Sequence, residues 1–218
     1  MILNISSPFF HELRGGRDFS QVSGTITVCG CGALGANIAE NLARMGFSRL
    51  RLIDDGNIET RNLSTQPYTT QQIGLSKSQT LAAYLFLAVG CRADAVRERL
   101  TEKNAAKLLC DTALIVDTFD NGKSREIVQG AVRKLPTFDV LHVGFSGDGY
   151  GEVKWDKDYI VPYEEVGIDP CDYPASRPFI MAVSAVATET IADFLLMGKR
   201  RLSCVLYSSG RITILAEQ

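Results

Sequence analysis

The sequence predicts a doubly wound α/β fold whose mostly parallel sheet is extended by antiparallel strands near the C-terminus. Apolar, β-rich runs alternate with helical patterns over the first two thirds of the chain, and this alternation is typical of a parallel sheet. A glycine-rich run over residues 30–35 separates the first strand from the first helix. After residue 149 short alternating runs replace this pattern, which indicates antiparallel pairing.

The first half of the chain contributes two strands, each followed by a helix. Thr25–Cys29 and Leu50–Ile53 are short apolar runs typical of buried strands. Between them, Ala33–Met45 has apolar residues at helical spacing along one face. After a polar stretch, Ser76–Val89 repeats that helical pattern, so the order strand, helix, strand, helix is predicted.

The next segment continues the alternation. Thr101 is predicted to cap a helix that ends at Leu109, and Ala113–Val116 is a continuous apolar strand. Asn121–Leu135 is predicted as a further helix and Val140–Val143 as a further strand. The main sheet therefore has four predicted strands between Thr25 and Val143.

The last third has a different organisation. Two short alternating runs, Glu152–Trp155 and Asp158–Val161, are predicted as antiparallel strands, and the proline-containing Tyr163–Arg177 as a loop. Phe179–Met197 is predicted as a helix rich in small residues, which allow close packing. The predicted C-terminal hairpin pairs Cys204–Tyr207 with Ile212–Leu215.

Length and composition limit the classes of protein that fit. The 218 residues fit one domain, which we take to be residues 1–218, with residues 149–218 as its C-terminal extension. The chain is 45% hydrophobic and 22% charged, as expected of a globular protein with a sizeable core. Its net charge of −2 argues against a broad basic face, so nucleic acid is not an expected partner.

Cysteine spacing and apolar run lengths bear on metal sites and location. The six cysteines include no Cys-x-x-Cys pair, so no structural zinc is expected. No basic start precedes an apolar run at the N-terminus, as a signal peptide would require. The longest apolar stretch, Phe179–Ala187, is roughly half as long as a bilayer span. We therefore expect a cytoplasmic protein without membrane association.

Three glycines mark a nucleotide-binding turn. Gly30, Gly32 and Gly35 stand between the first strand and the first helix, where glycines allow close approach to a phosphate and the helix supplies free amide donors. Asp54 ends the second strand, where an acidic residue can bind ribose hydroxyls. These features are typical of Rossmann-like domains, so an NAD(P)-dependent oxidoreductase is one alternative.

Two later residues favour a triphosphate instead. Asp120 is expected at the carboxyl end of a core strand, above the crevice that holds the phosphates. A carboxylate repels phosphates unless a divalent cation bridges them. Together with Lys77, Asp120 therefore favours ATP and Mg²⁺ over hydride transfer. Each residue taken singly also fits a role as a helix cap or a solvated side chain.

In their order and spacing, these residues resemble the ThiF/MoeB/HesA adenylyltransferases, which are bacterial relatives of ubiquitin-activating enzymes. The resemblance rests on Gly30-Cys-Gly-Ala-Leu-Gly35, Asp54, Asn62-Leu-Ser-Thr-Gln66, Ile73-Gly-Leu-Ser-Lys77 and Asp120-Asn121. It is closest over residues 28–125 and continues more weakly to the C-terminus.

The resemblance implies ATP-dependent adenylation of the C-terminal carboxylate of a small ubiquitin-like or sulfur-carrier protein that ends in Gly-Gly. It also implies the site residues. Asp54 would hold the ribose, Lys77 would neutralise phosphate charge, and Asp120 would hold Mg²⁺. The remaining nucleotide contacts implied by the resemblance are Asn62, Gln66 and Asn121, beside the glycine turn of Gly30, Gly32 and Gly35.

Two departures from the family pattern leave a second alternative open. The family usually has arginine where this chain has Thr65, and a second acid where it has Gly56. Because a phosphate-binding arginine assists pyrophosphate departure, a catalytically degenerate partner or scaffold subunit is the other alternative.

Two further expectations follow from the resemblance. Family members that capture the activated carboxylate on sulfur have a cysteine in roughly the loop that holds Cys171 here, so Cys171 is a candidate acceptor. An incidental loop cysteine fits the same position equally well. The family pairs two such domains, and the small-residue helix from Phe179 is compatible with this, so a homodimer is expected.

Overall fold

The computed structural model describes residues 7–134, 139–162 and 175–217. Eight strands form one mixed sheet in the order β3-β2-β1-β4-β5-β6-β7-β8. Strands β1 to β5 pair in parallel, and β6, β7 and β8 are antiparallel to their neighbours. The strands are β1 Thr25–Cys29, β2 Leu50–Ile53, β3 Asp94–Val96, β4 Thr112–Asp117, β5 Asp139–Phe145, β6 Tyr150–Trp155, β7 Leu202–Ser208 and β8 Arg211–Glu217.

Helices cover both faces of the parallel part of the sheet. One hydrophobic cluster joins α2, α3 and α6 to one face, and a second joins α4 and α5 to the other. The helices are α1 Phe10–Arg14, α2 Ala33–Met45, α3 Lys77–Val89, α4 Ala105–Leu108, α5 Gly122–Lys134 and α6 Arg177–Met197. The predicted doubly wound fold with antiparallel C-terminal strands is therefore confirmed.

The elements that carry the glycine turn form where the sequence predicts them. β1 and α2 have the predicted bounds, and α2 ends where Gly46 adopts a left-handed conformation (φ 109°) that favours glycine. Ser76 is the N-cap of α3, and its hydroxyl accepts a bond from the Gln79 amide. Local capping and apolar periodicity thus fix both helices.

The predicted strand Asp158–Val161 is wrong. The chain leaves the sheet after Trp155, forms a short 3₁₀ helix over Asp156–Asp158 and then has no regular secondary structure up to residue 162. Both edges of β6 are already paired, with β5 and β7, so no edge is free for another strand. Tyr159 is buried beneath the sheet instead, and Ile160 is 87% exposed.

Two other predictions need correction. The predicted helix from Thr101 to Leu109 is only the four-residue α4, with Asn104 at its N-cap position. Thr101 does not cap it; its backbone amide and hydroxyl both donate to the Asn104 side chain. β3 and α1 were not predicted, and β3 extends the parallel sheet beyond β2.

The small residues of α6 serve packing within the chain. Ser184, Ala187 and Thr188 are buried, and Asn41 of α2 donates a bond to Thr188. By length and composition alone α6 could cross a membrane, but half of its most apolar 18-residue window is buried. A core helix passes the same test, so this is weak evidence for a membrane span.

Candidate functional site

The strand order reverses between β1 and β4, which creates a crevice at their carboxyl ends. The two strands pair in parallel, with Cys29 opposite Asp117. Thr118, just beyond β4, donates its amide to the Cys29 carbonyl at 2.9 Å and lies within 3.2 Å of the Gly30 carbonyl through its hydroxyl. Ligands of open α/β sheets bind at such a reversal, so the glycine turn and the segment that carries Asp120 lie at one site.

The three positions of the turn contain glycine for different structural reasons. Gly30 has φ 94°, a left-handed conformation that favours glycine. A Cβ atom on Gly35 would overlap the Gly30 carbonyl oxygen and lie 2.5 Å from Thr118 Oγ1. A Cβ atom on Gly32 would meet no atom within 4 Å, and its φ of −86° suits any residue. Folding therefore requires Gly30 and Gly35, whereas Gly32 keeps space open beside α2.

That open space lies at the positive end of a helix dipole. α2 has thirteen residues, and its N-cap Gly32 offers no side-chain cap to the first-turn amides. Those amides have no partner inside the helix, and the dipole adds partial positive charge at this end. An anionic phosphate fits this position, because the amides point at it and no side chain of a described residue fills the space.

Asp54 joins the end of β2 to the glycine turn. Its Oδ2 atom accepts the amide of Cys31 at 2.7 Å, and its Oδ1 atom accepts the amide of Gly56 at 2.7 Å. The carboxylate is partly buried and fixed from both sides. It therefore lies beside the turn as predicted, while its contact with ribose remains a prediction.

Lys77 begins α3 on the same side of the crevice. Its amide donates to the Gly56 carbonyl at 3.0 Å. A Cβ atom on Gly56 would lie 3.8 and 3.9 Å from Cδ and Cε of Lys77 and 3.0 Å from Asp54 Oδ1. The lysine stem thus passes over Gly56, next to Asp54. Among the described residues its ammonium forms no ion pair, so its charge is available to a phosphate.

Asp120 and Asn121 lie in the connection from β4 to α5. β4 ends at Asp117, so Asp120 stands three residues beyond the strand rather than at its end. Asp120 is exposed, and one of its oxygens accepts a bond from Asn121 Nδ2 at 3.2 Å. Asn121 Oδ1 accepts the Ser124 amide at 2.9 Å, which also stabilises the start of α5.

The donor set at Asp120 is compatible with Mg²⁺ held together with phosphate oxygens. In the ranges that the structure describes, no three His, Cys, Asp or Glu side chains converge into a metal site. Mg²⁺ is ordinarily bound by one or two carboxylates plus substrate phosphates. Asp120 would therefore supply a protein oxygen, with phosphate oxygens and water as the remaining ligands.

Asn62 and Gln66 lie on the other flank of the turn, near a short 3₁₀ helix over Thr60–Ser64. Asn62 is buried, and its side-chain carbonyl accepts the Glu59 amide at 2.9 Å. Gln66 Oε1 is buried and accepts no bond from a described residue. Their contacts with a nucleotide remain predictions. Cys171 lies outside the described residues.

Sequence reasoning missed a buried polar cluster directly beneath the Asp120 segment. His142, in the middle of β5 and fully buried, contacts Asp117 through Nδ1 at 2.8 Å and Asp156 through Nε2 at 3.1 Å. Burial lowers the pKa of His142, but the bonds to the two carboxylates outweigh it and raise that pKa overall. The only sign of this cluster in the sequence is a histidine inside an apolar strand.

The fold and the site together define a class of nucleotide-binding α/β domain. In this class the glycine turn and the segment that here carries Asp120 lie at the same crevice. The sequence matches the ThiF family over residues 14–153, and the chain belongs to that family.

Similar proteins agree with this assignment. The chain is 32% identical to a sulfur carrier protein adenylyltransferase of Thermus thermophilus over 49% of this chain and 40% of that protein. It is 36% identical to the adenylyltransferase and sulfurtransferase MOCS3 of Mus musculus over 49% and 24%. The chain thus spans less than half the length of these relatives. The fold matches the crystal structure of E. coli MccB with ATP, with a TM-score of 0.72 and 14% identity over 89% of this chain and 64% of MccB.

Proposed function

We propose that this chain catalyses the ATP-dependent adenylation of the C-terminal carboxylate of a small ubiquitin-like or sulfur-carrier protein that ends in Gly-Gly. The observation that carries the proposal is the open space at Gly32, at the N-terminus of α2 and at the crevice that Asp120 also flanks. The relative from T. thermophilus, named a sulfur carrier protein adenylyltransferase, supports the choice of substrate class.

The reaction needs alignment and positive charge more than acid–base catalysis. A carboxylate oxygen of the carrier attacks the α-phosphorus of ATP. The bond from that phosphorus to its bridging oxygen breaks, and pyrophosphate leaves with the electron pair. Free amides of α2 and the ammonium of Lys77 are suited to bind the phosphates. Asp54, fixed to the turn through the Cys31 amide, is suited to orient the ribose.

Asp120, with Asn121 beside it, would hold Mg²⁺ against the phosphates. Bound Mg²⁺ supplies charge neutralisation for the triphosphate and the departing pyrophosphate. The position of Asp120 supports this role, because its exposed carboxylate follows the strand that pairs with β1.

The test is pyrophosphate release with defined carriers. We would incubate the chain with ATP, Mg²⁺ and a panel of recombinant ubiquitin-fold proteins ending in Gly-Gly, each beside a version without the two glycines. The proposal expects pyrophosphate and an AMP adduct with at least one intact carrier and with no truncated one. Nucleotide binding without turnover by any carrier would instead favour the degenerate subunit that Thr65 motivates.

Transfer of the activated carboxylate to Cys171 is a second, separable step of the proposal. The thiolate would attack the acyl adenylate, form a thioester and release AMP. A gel without reductant should then contain a carrier adduct that Cys171→Ala abolishes, while pyrophosphate release survives. An adduct that persists in Cys171→Ala would reject this acceptor.

We also propose a homodimer, as family members pair two such domains. Analytical ultracentrifugation at tens of micromolar concentration tests it directly. A stable interface of this kind usually buries more than about 1,200 Å², so a dimer should persist at that concentration. A purely monomeric boundary would reject the proposal.

A further inference from the structure

The buried cluster around His142 connects the segment that carries Asp120 to the chain that leaves the sheet after β6. His142 itself is the centre of the cluster, because each ring nitrogen faces a different carboxylate. Asp117 ends β4, and Asp156 begins the 3₁₀ helix beyond β6. One imidazole therefore joins two segments that are far apart in the sequence.

On the β4 side, Asp117 determines the path of the chain towards Asp120. Its Oδ2 atom is bonded to His142, and its Oδ1 atom accepts the amide of Phe119 at 3.1 Å. Thr118 between them is fixed to the Cys29 carbonyl. The backbone just before Asp120 is thus held on one side by the glycine turn and on the other by the His142–Asp117 pair.

On the opposite side, α5 is tied to the segment around Asp156. Gln129 donates to Asp156 Oδ1 at 3.0 Å, and Arg125 donates to the Tyr159 hydroxyl at 2.9 Å. Tyr159 stacks on the His142 ring with centroids 4.0 Å apart. Because α5 starts directly after Asn121, this side of the cluster fixes the other end of the Asp120 segment.

The two carboxylates determine how many ring nitrogens of His142 must carry a proton. An ionised carboxylate only accepts hydrogen bonds, so both ring nitrogens must donate, which a neutral imidazole cannot do. Other ionisable groups also face the cluster. Arg125 lies 3.8 Å from Asp117, Tyr159 stacks on the His142 ring, and Arg133 of α5 acts on the charge of Asp156. The buried Cys29 thiol faces Asp117, and the neighbouring Lys154 of β6 pairs with Glu152. The cluster thus holds a doubly bonded histidine between two carboxylates, with the Arg125 guanidinium beside Asp117.

We propose that His142 is a positioning residue, which holds the Asp117–Asn121 segment in the conformation that presents Asp120 to Mg²⁺–ATP. The role in the reaction rests on the proposed function, whereas the structural restraint on the segment does not. His142 itself is buried away from the substrate and takes no part in bond making.

The test compares three proteins: the parent, His142→Asn and a control, Leu141→Ala. Asparagine stays polar, but both of its N–H donors are on one nitrogen, so it cannot replace the two separate ring nitrogens that contact Asp117 and Asp156. Leu141 is its fully buried neighbour in β5 and belongs to the cluster on the other face of the sheet, so its loss weakens packing without touching Asp117. If His142→Asn does not fold, His142→Gln replaces it.

Hydrogen–deuterium exchange without nucleotide measures the restraint itself. Amides of residues 118–124 should exchange about ten- to a hundredfold faster in His142→Asn, the range expected for loss of a charge-assisted hydrogen bond. Residues 33–45 should be unchanged, and Leu141→Ala should not loosen 118–124 selectively. Equal protection of 118–124 in the parent and His142→Asn would overturn the proposal.

Mg²⁺ dependence measures the consequence for the site. In pyrophosphate release, His142→Asn should raise the half-saturating Mg²⁺ concentration about tenfold, with a smaller effect on the KM for ATP at saturating Mg²⁺. An unchanged Mg²⁺ dependence in a protein that still turns over would overturn the catalytic part. If the parent neither binds nor turns over Mg²⁺–ATP, the proposed function fails, and the exchange result still decides whether His142 restrains the segment.

Discussion

The glycine turn yields a prediction in which stability and nucleotide binding separate. Gly32→Ala and Gly35→Ala add the same methyl group three residues apart. At Gly32 the methyl group meets no atom within 4 Å, and at Gly35 it overlaps the backbone of Gly30. We therefore expect Gly32→Ala to fold normally but to lose ATP binding, and Gly35→Ala to destabilise the fold itself.

The expected magnitudes follow from these contacts. Alanine is a poorer N-cap than glycine, so Gly32→Ala should lower the free energy of unfolding by at most about 1 kcal/mol. Overlap with a backbone atom at Gly35 forces the turn to move, which costs about 3 kcal/mol. For a domain of this size 1 kcal/mol corresponds to about 2–4 °C in Tm. The loss in Tm should therefore be no more than about 4 °C for Gly32→Ala and about 6–12 °C for Gly35→Ala.

Gly32→Ala, which barely affects stability, should clearly weaken ATP binding. A methyl group at Gly32 takes up space where a phosphate would contact the α2 amides, and each charge-assisted bond contributes about 1.5–3 kcal/mol. Losing one such bond weakens ATP about ten- to 150-fold. Differential scanning calorimetry and titration calorimetry with ATP and Mg²⁺ measure the two quantities. Unimpaired ATP binding by Gly32→Ala would refute the assignment of the phosphate position.

Three further predictions concern individual side chains. Asp120→Asn should keep the parent's Tm yet lose most of the Mg²⁺-dependent stabilisation by ATP in thermal-shift assays, whereas Asp55→Asn, another exposed carboxylate, should not. Thr65→Arg should restore a phosphate-binding cation and lower the KM for ATP about tenfold; Thr65→Leu is the control, and equal effects would exclude the charge. The pKa of His142 is raised above 6.5 in the folded chain. The free energy of unfolding that protonated His142 contributes is therefore complete below pH 6.5, and it is lost as the pH rises through the raised pKa. Melting curves from pH 6 to 9 should therefore show a loss of Tm in the parent that His142→Asn lacks; parallel curves would contradict this.

The sequence could predict those parts of the fold that local chemistry determines. The bounds of β1 and α2 follow from an apolar run, an amphipathic period and a glycine C-cap, all of them contained in about twenty neighbouring residues. The placement of Gly30 and Asp54 was also predicted, because the parallel strands bring residues at their carboxyl ends to one edge. Lys77 begins α3, and its role was implied by the resemblance to the family.

Other features depend on contacts that no local pattern records. β3 has only three residues, too few for a period, and is recognised only by its parallel pairing with β2. The alternation in residues 158–161 predicted a strand, yet Tyr159 is buried against His142 rather than within a sheet. The carboxylates on His142 come from positions 117 and 156, so the cluster exists only in the folded chain.

The sequence likewise could not predict that the fold needs only some of the three glycines. The motif spacing identifies a turn but does not say which glycine the fold needs and which one leaves room for a ligand. That distinction depends on the Gly30 carbonyl and on Thr118, which is 83 residues beyond Gly35 in the chain.

The central claim, that this crevice binds ATP for adenylation, is tested most directly by titration calorimetry of the parent with ATP and Mg²⁺ and, separately, with NAD. We expect ATP to bind once per chain, Mg²⁺ to strengthen this binding, and NAD not to bind. Binding of NAD in the absence of any ATP binding would contradict the central claim and would restore the oxidoreductase alternative.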